Sequence, residues 1–130
     1  MASEFKAGAA HRIASVDAIE GSDMILDAGP KSIDSAIAFL ASCSTVVWNG
    51  PMGAFEISPF DTATNAIARA VGMRSAGGST MSVAGGGDTL AALANAGASD
   101  QFSYISTAGG AFLEWLEGKT LPGVEALRIN

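Results

Sequence analysis

Apolar positions along the chain fall into two kinds of pattern. Four short runs, Met24 to Leu26, Thr45 to Trp48, Thr80 to Ala84 and Phe102 to Ile105, are each bounded by Gly, Pro, Asp or Ser. Runs of that length between turn formers read as buried strands. Between and after them, apolar residues recur at helical spacing: Ile33, Ile37 and Leu40; Ala63, Ile67, Ala70 and Val71; Leu90, Leu93 and Ala94; then Phe112, Leu113 and Leu116, with Trp115 beside them. Gly97 and Gly118 stand where helix ends favour a left-handed residue. Strand followed by helix, four times over, predicts an α/β fold: a parallel sheet of about four strands with crossover helices. Residues 1–20 form an irregular lead-in without clear periodicity, and 121–130 (LPGVEALRIN) read as a tail.

In a parallel sheet every strand-to-helix loop leaves the same edge, where such folds bind ligands. The four loops here read DAGPKS, NGPMGAFE, GGGDT and STAGGA, and all are rich in glycine. Helix N-termini at that edge carry free N–H groups and partial positive charge. Four such loops together point to an anionic ligand, a nucleotide first among them. No G-x-G-x-x-G and no G-K-[ST] occurs, so neither a dinucleotide fingerprint nor a Walker loop is present.

Composition narrows the function classes. The 130 residues suit one domain, and 48% apolar with 15% charged residues describes a globular interior. A formal net charge of −6 argues against nucleic acid, whose phosphates are held by clustered Lys and Arg, but not against a nucleotide held by backbone N–H groups and a divalent metal. The lone Cys43 cannot form an internal disulfide. No apolar run approaches membrane-spanning length, and the expected setting is the cytoplasm.

The residues in these loops each carry two readings. Asp88 can hold Mg²⁺ on phosphates, because that ion takes one or two carboxylates plus phosphate oxygens; it can equally cap the following helix. Asn49 offers a side-chain donor or an ordinary turn bond, and Glu56 an acceptor for ribose hydroxyls. The stretch around Gly109 and Gly110 is either an anion cradle or a tight turn required by packing. His11 and Cys43 have no partner pattern and read as a solvent-facing imidazole and a buried thiol; Trp48 and Trp115 read as core. Asp27, after the first apolar run, invites comparison with a receiver-domain phosphoacceptor, but the last run leads directly into Thr107-Ala108-Gly109 with no lysine there.

In order and spacing, "ILDAGPKSI", "VVWNGPMGAFE", "VAGGGDT" and "STAGGAFLEWLEGKTLPGVEAL" resemble the phosphoglycerate kinase family, in the carboxyl-terminal part of its nucleotide-binding lobe. The resemblance runs from about Phe5 to Leu127 and implies the second half of a Rossmann-like lobe. It implies that Glu56 binds the ribose, Asp88 the Mg²⁺, and Gly86, Gly87 and Thr89 the phosphates of ATP or ADP, with Leu26 and Pro51 lining the nucleoside pocket. Asn49 and the N–H groups of Gly109 and Gly110 would face the phosphoryl group moving between ATP and 3-phosphoglycerate. Ala108 replaces a glycine usual in the family, and Ile25 stands where some members have glycine against the adenine. The family's amino-terminal lobe, with its basic phosphoglycerate site, has no counterpart here, nor does its Gly-Gly-Ala-Lys motif; Lys6, Lys31 and Lys119 do not occupy that context. The chain therefore resembles the last third of such an enzyme. On that reading it would be inactive alone, would meet 3-phosphoglycerate only with the missing lobe, and would expose a cut sheet edge suited to self-association. A non-catalytic nucleotide-binding module remains the alternative.

Overall fold

A computed structural model describes residues 1–128. Its sheet has three parallel strands in sequence order, β1 (Thr45–Asn49), β2 (Met81–Gly85) and β3 (Tyr104–Ser106). Helix α1 (Pro30–Leu40) precedes the sheet; α2 (Thr62–Ala76) and α3 (Gly87–Ala96) are the crossovers; α4 (Gly110–Leu116) and the short α5 (Pro122–Glu125) follow β3. All four predicted helical patterns became helices. Gly97 ends α3 in the left-handed conformation, and Gly118 follows α4 with the same sign of φ.

The fourth expected strand is not one. Met24 makes only an isolated antiparallel bridge, exchanging hydrogen bonds with Ala2 at 2.8 and 3.1 Å. The Leu26 carbonyl instead accepts from Ala54 N–H at 2.8 Å. Both backbone groups of Met24 and the carbonyl of Leu26 are thus spent on the lead-in and on a loop rather than on a parallel neighbour. Leu26 packs with Ala2, Ala9 and Phe60 in a small satellite cluster.

Alternation along the strands divides the sheet into two unlike faces. Val46, Trp48 and Ala84 point into the main core, where they meet Ile33 of α1, Ile67, Ala68 and Val71 of α2, and Leu93 of α3. Trp48 stands edge-on to Phe102 with ring centres 6.2 Å apart. The other face carries Val47, Val83 and Tyr104 and is covered only in part by α4. Trp115 was expected in the core, but it is 59% exposed, because its side of α4 looks onto this open face. Cys43 is half-buried rather than enclosed. No helix among the described residues is long and apolar enough to cross a membrane. Of the expected tail, the last two residues lie outside the described ones.

Candidate functional site

Register places the three strand ends side by side: Asn49 pairs with Gly85, and Gly85 with Ser106. Three of the four glycine-rich loops therefore rise from one rim, leading into the N-termini of α2, α3 and α4. The fourth, DAGPKS, follows no strand of the sheet and packs against the 49–61 loop, where Gly53 lies on Asp27.

On this rim Asn49 and Glu56 are exposed, Pro51 is half-buried, and Gly87 and Asp88 face solvent in the first turn of α3. The capping alternative for Asp88 does not hold. Gly86 occupies the cap position of α3, and Asp88 is the second residue of the helix, where its charge complements the positive helix end without being the cap. An exposed carboxylate in the first turn of α3 could hold an ion that brings most of its ligands with a nucleotide. Among the described residues no group of three or more His, Cys, Asp or Glu side chains forms a cage for a metal on its own.

Thr89 is 2% exposed, and its hydroxyl accepts from Gly50 N–H at 2.8 Å. It joins the GGGDT loop to the NGPMG loop. Trp48 Nε1–H donates to the Gly50 carbonyl at 2.7 Å, so Gly50 is held at both its polar groups. Leu26 is half-buried in the satellite cluster beside Ala54.

Sequence reasoning missed what lies under the NGPMG loop. A Cβ at Gly53 would overlap Asp27 Oδ1 and come within 2.7 Å of the Phe60 carbonyl oxygen. Close packing alone requires a glycine there. Asp27 Oδ2 accepts from Ala63 N–H at 3.0 Å and Oδ1 from Ala28 N–H at 2.9 Å. Burial pushes the Asp27 carboxyl above its ordinary pKa; the backbone donors oppose the shift, and the charge of Asp61 adds to it. Thr64, fully enclosed, accepts from Met52 N–H at 3.0 Å. Only the residue types hinted at such roles, since Asp and Thr near a helix start commonly serve backbone donors.

The phosphoglycerate kinase family model matches residues 1–119. The chain belongs to the phosphoglycerate kinase family. It is 62% identical over 128 residues to phosphoglycerate kinase of Xanthobacter autotrophicus, covering 98% of this chain and 32% of that protein. To phosphoglycerate kinase of Jannaschia it is 61% identical over 127 residues, with 98% and 32% covered. The solved structure of phosphoglycerate kinase from Coxiella burnetii superposes with a TM-score of 0.86 at 44% identity, over 95% of this chain and 31% of that one. The chain thus spans about a third of the length of the phosphoglycerate kinases it matches.

Proposed function

We propose that this chain supplies the nucleotide side of reversible phosphoryl transfer between ATP and 3-phosphoglycerate, a glycolytic reaction of the cytoplasm. The observation that carries the reading is the alignment of Asn49, Gly85 and Ser106 at one rim, with three loops of amide donors above them. Glu56 would accept from the ribose hydroxyls, with Pro51 and Leu26 against the nucleoside. Gly86, Gly87 and Thr89 would wrap the phosphates at the start of α3, Thr89 also tying that loop to Gly50. Asp88 would hold Mg²⁺, which when bound neutralises phosphate charge. Asn49 and the N–H groups of Gly109 and Gly110 would face the phosphoryl group in transfer. Such chemistry is mainly positioning and charge stabilisation, which donors can supply without a nucleophile.

Titration calorimetry with ADP, with and without Mg²⁺, on the wild type and Asp88→Asn tests the reading. Binding that Mg²⁺ strengthens in the wild type but not in the variant is expected. Equal affinity in all four titrations would remove Asp88 from the metal role. Turnover is a separate matter, because holding both substrates in line can supply roughly 7–11 kcal/mol of barrier reduction. A coupled assay with ATP and 3-phosphoglycerate should show no activity from the 130 residues alone, and activity once the remaining family-length portion is supplied. Robust turnover by the 130-residue chain would refute this division of labour.

A further inference from the structure

The loop from Gly50 to Glu56, which leaves the end of β1, has no ladder or helix of its own to fix its shape. Its conformation must come from what its backbone bonds to. Gly50 is tied to Thr89 and Trp48, and Ala54 N–H to the Leu26 carbonyl. Between them, Met52 N–H goes to the enclosed hydroxyl of Thr64, and Gly53 sits directly on Asp27.

Both supports reach across the chain. Thr64, the third residue of α2, has no preceding turn to bond back to, and its hydroxyl receives a loop amide 12 positions earlier in the chain. Asp61 stands at the start of α2 without capping it through its side chain, and Asp27 serves Ala63 N–H from 36 positions away. One carboxylate thus satisfies the helix end and floors the loop.

We infer that Thr64 and Asp27 are positioning residues for the nucleotide: from beneath, they set the height of the 50–56 loop, and with it Pro51 and Glu56. Neither touches the ligand. The proposal rests on the nucleotide reading above. Helix α2 is otherwise held by Ile67, Ala68 and Val71 in the main core. Loss of the Thr64 hydroxyl therefore shifts the loop and leaves the fold standing.

The test compares wild type, Thr64→Val and Thr64→Ser in the whole chain. Valine keeps the shape but takes away the acceptor of the Met52 N–H; serine restores it. Thermal unfolding establishes that each is folded, amide exchange reads Met52, and calorimetry reads MgADP. Thr64→Val should speed exchange at Met52 and weaken MgADP roughly tenfold, and Thr64→Ser should recover both. Asp27→Asn, which gives up one of the two acceptors, should weaken MgADP as well, and supplies the answer if Thr64→Val fails to fold. A folded Thr64→Val or Asp27→Asn that binds MgADP as tightly as wild type overturns the proposal while leaving the nucleotide reading intact. A wild type that does not bind MgADP at millimolar concentration overturns both.

Discussion

Replacing Gly53 by alanine adds one methyl group at the tightest backbone approach near the site. The new Cβ would lie 2.7 Å from the Phe60 carbonyl oxygen and 2.8 Å from Asp27 Cγ, both closer than real contacts allow. Neither neighbour yields easily. Phe60 is 3% exposed and its carbonyl is backbone; moving the Asp27 carboxylate strains its bonds to Ala28 and Ala63. Overpacking of this kind costs about 1–3 kcal/mol, against about 0.4–1 kcal/mol gained by restricting the unfolded chain. The two trapped neighbours place Gly53→Ala toward the upper end, a net loss of about 2 kcal/mol. For a chain of this size that lowers Tm by roughly 5–10 °C. Gly85→Ala is the control. Its Cβ would meet Phe112 Cδ1 at 2.8 Å, but that ring borders the open groove and can swing away, so the loss should be less than half as large. Thermal denaturation followed by circular dichroism measures both. A Gly53→Ala midpoint within about 1 °C of wild type, or a larger loss in Gly85→Ala, would refute the packing argument.

The raised pKa of Asp27 gives stability a pH dependence of definite sign. A carboxyl with a higher pKa in the folded state binds its proton more tightly there, so its contribution is complete below the ordinary value of 3.8 and is lost as pH rises through the folded pKa. Denaturant titrations should show that loss in wild type and not in Asp27→Asn; parallel pH profiles for the two would sink the assignment. The half-covered sheet face, with Val47 51%, Tyr104 59% and Trp115 59% exposed, should drive copies of the chain together. Light scattering is expected to show dimers or larger species that Val47→Lys or Trp115→Glu shifts toward monomer, and a monodisperse wild-type monomer would count against this.

Much of the architecture was legible because periodicity reports burial. Ile67 and Val71, four apart, and Val46 and Trp48, two apart, declare a helix and a strand with one face inward, and both became so. The run Met24 to Leu26 was too short to show which neighbour its backbone would choose; Ala2, 22 positions earlier, settled it. Trp115 misled for a related reason, since an amphipathic helix announces an apolar side without saying whether anything covers it. At the rim, glycines beside strand ends marked the loops. The residues beneath them stayed hidden because Thr64, Thr89 and Asp27 meet partners 12, 39 and 36 positions away, and neither residue type carries a signal that reaches so far.

The loops at residues 49–56, 85–89 and 106–110 contain no lysine or arginine, on a chain of net charge −6. In the proposed site, attraction for a phosphate would come from oriented amides, and from Mg²⁺ at Asp88, acting at contact, whereas the net charge of the chain is repulsive at longer range. Dissolved ions weaken the second without reaching the first, since the screening length falls from about 30 Å at 0.01 M to about 8 Å at 0.15 M. Added salt should therefore tighten nucleotide binding and quicken its capture over that range. A site built on a cluster of cations behaves in the opposite way, so an affinity that falls steadily with ionic strength would show that a basic side chain, and not the peptide backbone, dominates the attraction.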